Sequence, residues 1–270
     1  MTESTLTTTL IGRGHSGTRA FCKLLVDSGV YMGPTLSSSY CYSPINAYGR
    51  FVGTRVALRV TVAEGAMYEA ARIFARYVDR VGEVEWDFSR AEKAQIPERF
   101  IELVDRYLAP IDASPAPRGW KLPETILMFP WLTRLRPDIH YVHWVRDPRD
   151  VLLHRHLTDD LTRFDVPADY SALRRRWVWD REVKQLRRAI SWKYQHDLVK
   201  QSTKPKNWLV VRFEDFVLDH ENEIKRISEF LDLPLVPLQV NRGAVGRWKN
   251  APPIAGLDLL RPLMDHYGYP

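Results

Sequence analysis

Thr-Leu-Thr-Thr-Thr-Leu-Ile-Gly-Arg-Gly-His-Ser-Gly-Thr-Arg-Ala-Phe-Cys-Lys-Leu-Leu, residues 5–25, changes its backbone periodicity within a few positions. Thr5 to Ile11 is rich in β-branched residues and reads as a strand. Phe21, Leu24 and Leu25 have the spacing of a helix face. Between them lies Gly12-Arg13-Gly14-His15-Ser16-Gly17-Thr18, a loop whose glycines let successive backbone N–H groups turn toward one point. A helix starting at its end adds about half a positive charge there. Strand, glycine loop and helix in this order predict an oxyanion cradle.

Gly12 and Gly17 have the glycine spacing of a nucleotide-triphosphate loop, but Thr18 and Arg19 stand where Lys and then Ser or Thr should follow. That Lys reaches the β- and γ-phosphates and the hydroxyl holds magnesium. Losing both argues against a metal-dependent nucleoside triphosphatase and leaves a phosphate-type ligand bound without a required metal.

Outward from this unit, Gly29, Gly33 and Pro34 close the first helix, and Thr35 to Arg55 shows no sustained period and reads as a loop. Two helices are expected at about Ala63 to Arg80 and Pro97 to Leu108, joined by a polar connection. Gly119–Lys121 reads as a short strand, Ile139–Val145 as a strand rich in aromatic and β-branched residues, and Trp208–Phe213 as another apolar strand, followed by a helix ending near Leu231. Ser171 to Gln201 reads as one long helix: Trp179, Val183, Leu186, Ile190, Tyr194 and Leu198 share one face, and Arg174, Arg181, Lys184 and Arg188 the opposite one. Alternating strands and helices predict an α/β, P-loop-like three-layer fold with a central parallel sheet flanked by helices. One domain over 1–270 is expected, without repeat or linker.

Composition bounds the partners. The chain has 270 residues, 45% of them hydrophobic, and 39 basic against 33 acidic residues, a net +6 that suits an anionic ligand without demanding nucleic acid. Cys22 and Cys41 are too few for a disulfide framework. The first ten residues lack a basic start and a long apolar run, and no later stretch has the length of a membrane span, so a cytoplasmic location is expected.

Three ordered stretches resemble the sulfotransferase family. His15-Ser16-Gly17-Thr18 is similar to its loop for the 5′-phosphosulfate, usually Lys-Ser-Gly-Thr or Arg-Ser-Gly-Thr. Trp144-Val145-Arg146-Asp147-Pro148-Arg149-Asp150-Val151 resembles its second motif, a strand ending in an Arg that contacts the 3′-phosphate, with a helix beginning at Pro148. Asn241-Arg242-Gly243-Ala244-Val245-Gly246-Arg247-Trp248-Lys249 is similar to its late loop, Arg-Lys-Gly, two variable residues, then Gly-Asp-Trp-Lys. The likeness runs from Leu10 to Asn250 and is patchy between Thr35 and Arg118. It implies a donor cosubstrate, 3′-phosphoadenosine 5′-phosphosulfate (PAPS), with no metal required. The acceptor is then a small molecule, glycan or lipid, bound against a variable insertion at about 35–118, where Tyr40, Tyr42 and Tyr48 offer aromatic surface.

Residue by residue, the resemblance places the 5′-phosphosulfate on Arg13, Gly14, His15, Ser16, Gly17, Thr18 and Arg19, and the 3′-phosphate on Arg146, Arg242 with Gly243, and His154. His154 occupies the place of a usual Ser. His15 replaces the loop Lys, and a protonated His supplies that charge only where its pKa permits. The usual His before Leu-Pro is missing. Gly119-Trp120-Lys121-Leu122-Pro123-Glu124 is closer to a Trp-Lys-x-Pro form, which makes Lys121 a catalytic candidate beside His15 and Glu124 the candidate base. A carboxylate favoured by a helix dipole is the plainer reading of Glu124. Glu214 and Asp215, in the stretch Val210 to Phe216, are assigned structure and no chemistry. An ATP-dependent kinase and a non-enzymatic polyanion binder, the latter suggested by Arg174 to Arg176, are the alternatives.

Overall fold

The computed structural model describes residues 6–33, 62–168 and 181–270. Four parallel strands, β1 (Thr7–Ile11), β4 (Arg118–Lys121), β5 (His140–Val145) and β6 (Trp208–Arg212), form one sheet in the order β4-β1-β5-β6. Leu10 lies beside Lys121 on one side and Val142 on the other, and Val145 lies beside Arg212, so the strands end near one another at their carboxyl edge.

Side-chain alternation along each strand divides the core in two. Leu10, Val142, Trp144 and Val211 pack with Phe21, Leu24 and Leu25 of α1 (Thr18–Asp27) and with the helices Phe213–Leu218 and His220–Leu231. Ile11 and Tyr141 pack on the opposite face with α2 (Val62–Ala75), α4 (Glu98–Asp112), α5 (Phe129–Leu135) and the helix Arg181–Gln201. This is the expected three-layer α/β arrangement. β1 tolerates buried threonines because their hydroxyls are used: Thr8 Oγ1 donates to the His140 carbonyl at 3.1 Å and Thr9 Oγ1 to the Trp120 carbonyl at 3.2 Å.

Strand boundaries differ from the sequence reading by one or two residues, and Phe213 opens a helix instead of closing β6. The helix expected to Arg80 stops at Ala75. Asp79–Arg80 and Trp86–Asp87 instead pair as a small antiparallel hairpin, β2 and β3, braced by the ion pair of Arg90 with Asp79 at 2.8 Å. A short helix, α3 (Ser89–Lys93), occupies what reads as a polar connection. The helix after β6 is broken at Asp219. The helix Arg181–Gln201 is buried more widely than its predicted stripe. Ala189 and Trp192, off that stripe, pack with Leu260, Leu263 and Met264 of the C-terminal segment, which the periodicity alone does not reveal.

Cys22 is a buried thiol in α1, not in a disulfide. Cys41, the loop at 35–55 with its three tyrosines, and Arg174 to Trp179 lie outside the described residues. No helix among the described residues is long and apolar enough to cross a membrane.

Candidate active site

Ligands of parallel α/β sheets bind outside the carboxyl ends of the strands. A cavity of about 780 Å³ opens there, lined by Gly14 after β1, Lys121 at the end of β4, Arg146 after β5 and Phe213 after β6. Its volume is that of a nucleotide-sized pocket.

The glycine loop forms one wall. Gly17, at φ +89°, takes the left-handed conformation that starts α1, and a Cβ on it would also lie 2.4 Å from the Phe213 ring. No side chain caps α1 and its first turn holds no acidic residue. Thr18 and Arg19, which carry its leading N–H groups, line the cavity wall. Ser16 is buried, and its carbonyl accepts from Trp144 Nε1 at 2.7 Å, which fastens the loop to the central sheet.

Arg146 carries the opposite wall. Its guanidinium is almost wholly buried, lies 4.2 Å from the Phe213 ring centroid and donates to Asp150 Oδ2 at 3.0 Å, to the His15 carbonyl at 3.4 Å and to the Ala244 carbonyl. Its Nε is buried and has no hydrogen-bond partner among the described residues. The Asp150 carboxylate also accepts from the backbone N–H groups of Gly246 and Trp248, both at 2.9 Å. One buried carboxylate therefore joins the strand-end Arg to the late loop. Glu214 accepts from Asp147 N–H at 3.0 Å and from the Tyr269 hydroxyl at 2.8 Å, tying the start of the helix after β5 to the C-terminal segment.

Three imidazoles gather at the loop. His15, itself at φ +64°, has its ring centroid 5.9 Å from that of His154 and 5.6 Å from that of His156. Partial burial, then Arg13 and His154, lower the pKa of His15 below its ordinary value. Partial burial, then Arg247 and Arg146, do the same to His154. Both shifts favour the neutral imidazole in the free chain.

Arg13 does not line the cavity. Its fully buried guanidinium is engaged by Asp159, by the His154 carbonyl at 3.3 Å and by the Gly14 carbonyl at 3.0 Å, so it braces the loop from behind. Arg242 and Gly243 are exposed and also off the wall, and the Gly243 N–H is taken by Asn241 Oδ1 at 2.9 Å. From the same loop Asn241, Ala244 and Arg247 do line the cavity. Lys121 and Glu124 are both buried and line the same cavity as His15. Glu124 lies in the first turn of the short helix Pro123–Met128, where the helix dipole favours a carboxylate. Tyr68 of α2 brings the segment between 35 and 118 to the same cavity.

The structure thus brings together Gly14, His15, Gly17, Thr18, Arg19, Lys121, Glu124, Arg146 and His154. Sequence reasoning missed His156, Arg247 and Asp150. Arg247 sits inside the quoted late loop and His156 two positions after His154, but neither has a motif of its own. Among the described residues no group of three or more His, Cys, Asp or Glu side chains converges as a metal site.

A model of the sulfotransferase family matches residues 11–237. Among solved structures, the sulfotransferase domain of the olefin synthase from Synechococcus PCC 7002 is similar with a TM-score of 0.52 at 12% identity, over 100% of this chain and 97% of that one, a likeness of fold. The sulfotransferase domain from the curacin biosynthetic pathway gives 0.49 at 12% identity over 100% and 99% of the two chains. Sulfotransferase STF9 from Mycobacterium avium gives 0.43 at 14% over 96% and 75%. No curated protein sequence matches the chain.

Proposed function

The chain belongs to the sulfotransferase family, an enzyme family that uses PAPS, and from that premise we propose that it moves a sulfuryl group directly to a hydroxyl or amine of a small-molecule, glycan or lipid acceptor, without a required metal. The observation that carries this reading is the convergence of an uncapped helix N-terminus, Lys121 and a buried Arg146 on one nucleotide-sized cavity. The partnerless Arg146 Nε is a donor that a phosphate oxygen would satisfy. The aromatic and aliphatic stretch of wall at Phe213, Phe216, Val217 and Leu238 suits a purine.

When bound, PAPS supplies the sulfuryl group and a bisphosphate as its leaving group. The residues then divide by position. The loop and the first turn of α1 hold the 5′ end, with Arg13 as a brace. Arg146 and His154, joined by Arg247, hold the 3′-phosphate, and the Arg242–Gly243 turn shapes that loop. Lys121 and a His15 that takes up a proton from solvent when the anion binds neutralise charge on the leaving oxygen, where preorganised donors contribute most. Glu124, buried on the cavity wall, takes the acceptor's proton. The acceptor enters past Tyr68, from the insertion at about 35–118 of a single domain. Calorimetric titration of the Arg146→Ala variant with adenosine 3′,5′-bisphosphate tests the assignment. Affinity should fall at least about tenfold, as for a lost hydrogen bond to a charged group, and unchanged affinity would sink it.

A further inference from the structure

Of the three imidazoles at the loop, His156 has no counterpart in the three stretches that carry the family likeness, and its setting is the most constrained. Its ring lies directly against Gly14: a Cβ there would sit 2.0 Å from Cδ2 and 2.1 Å from Nε2. The Nε2 edge therefore faces the loop backbone at Gly14, and both residues line the cavity with His15 and Lys121. We propose that His156 is a further donor to the 5′ end of the nucleotide, a neutral imidazole whose Nε2–H meets a phosphosulfate oxygen beside Gly14.

The tautomer follows from its partners. The backbone N–H of Thr158 donates to His156 Nδ1 at 3.3 Å and the Thr158 hydroxyl lies 3.0 Å from the same nitrogen; both contacts are met when Nδ1 presents its lone pair and the ring proton resides on Nε2. The ring is also held in place. His156 caps the short helix Leu157–Asp159, and Asp159 in turn accepts from the His156 backbone N–H at 2.6 Å and from the buried Arg13 guanidinium. A donor fixed before the ligand arrives needs no reorganisation to act. Burial first, then Arg13, His15 and Lys121, hold the His156 pKa well below its ordinary value. The Nε2–H donor is present in this neutral tautomer and in the charged ring alike.

This inference rests on the PAPS reading, and a pair of ligands differing only in the 5′-phosphate separates the two. Adenosine 3′,5′-bisphosphate and adenosine 3′-monophosphate are titrated into wild type, His156→Phe and His156→Gln. Wild type should favour the bisphosphate. His156→Phe should shrink that preference by about ten- to a hundredfold with 3′-monophosphate affinity kept, the loss expected for a hydrogen bond to a charged group. His156→Gln, which returns an amide donor near Nε2, should regain part of it. An undiminished preference in His156→Phe overturns the role of His156 and leaves the PAPS reading standing. Equal affinity of wild type for the two ligands overturns the reading of the loop as the 5′ site. Nitrogen-15 NMR of wild type gives an independent check that needs no variant. A proton on His156 Nε2 that shifts with the bisphosphate and not with the 3′-monophosphate supports the inference, and a proton on Nδ1 overturns it.

Discussion

Asp150→Ala should unfasten the late loop from the sheet. The Asp150 side chain is fully buried, accepts one bond from Arg146 Nη2 at 3.0 Å and two from the Gly246 and Trp248 N–H groups at 2.9 Å, and pairs with no second cation among the described residues. Its removal leaves a guanidinium only 6% exposed beside a cavity and without its carboxylate. Breaking a buried ion pair from one side costs about 3 to 5 kcal/mol, a large part of the roughly 5 to 15 kcal/mol that holds a typical domain folded. The two loop N–H groups belong to half-buried residues, so water replaces their acceptor and adds little to that figure. Urea unfolding gives the stability change, and amide hydrogen exchange gives its location. Gly246 and Trp248 should lose protection while β1 and β5 keep theirs relative to the variant's own global stability. A stability change below about 1 kcal/mol, with exchange at both amides unaltered, would refute the view that this carboxylate organises the site.

Gly17→Ala should be destabilising, because φ +89° and the Phe213 ring 2.4 Å from the added carbon both oppose it. A loss of about 1 to 3 kcal/mol with weakened nucleotide binding is expected, measured by thermal melts and titration. Binding of the bisphosphate should take up protons near pH 6.5. His15 and His154 start with lowered pKa values and a bound anion raises them, so affinity rises as pH falls from 8 to 6. Calorimetry in two buffers of different ionisation heat checks this, and zero uptake contradicts it. Acid lability should owe much to His143, wholly buried, stacked on Trp208 and pushed down by burial to about 3. Its neutral form is native and the unfolded form titrates near its ordinary value. Its share of stability is thus intact above about pH 6.5 and declines by about 1.4 kcal/mol per pH unit below it, down to the folded pKa. His143→Phe should flatten the urea-derived slope between pH 6 and pH 4 by about one proton, and an unchanged slope contradicts the assignment.

The parallel sheet was legible because its strands are short β-branched or aromatic runs set off by glycine or proline, and the cradle because Gly12 to Thr18 interrupts two different periodicities. Arg146 was legible for a related reason: it ends an apolar strand just before a Pro that starts a helix. What escaped are features made by chain segments distant in sequence. Nothing local distinguishes Arg13, spent on Asp159, from Arg146, turned to the cavity. Asp150 looks like any helix-start acid until Gly246 and Trp248 arrive on it. The second buried face of the helix Arg181–Gln201 exists because the C-terminal segment Leu260 to Met264 packs there, and a single-stripe periodicity cannot contain that. The hairpin β2–β3 escaped because two-residue strands carry no period at all.

The central claim, a nucleotide site that reads a 3′-phosphate through Arg146, is tested most directly by calorimetric titration of the wild-type chain without added metal. Adenosine 3′,5′-bisphosphate is compared with adenosine 5′-monophosphate and ATP. The account predicts tight binding of the bisphosphate and at least about tenfold weaker binding of the other two, the share of a charged hydrogen bond. Equal affinity for all three, or no binding of the bisphosphate, would contradict it.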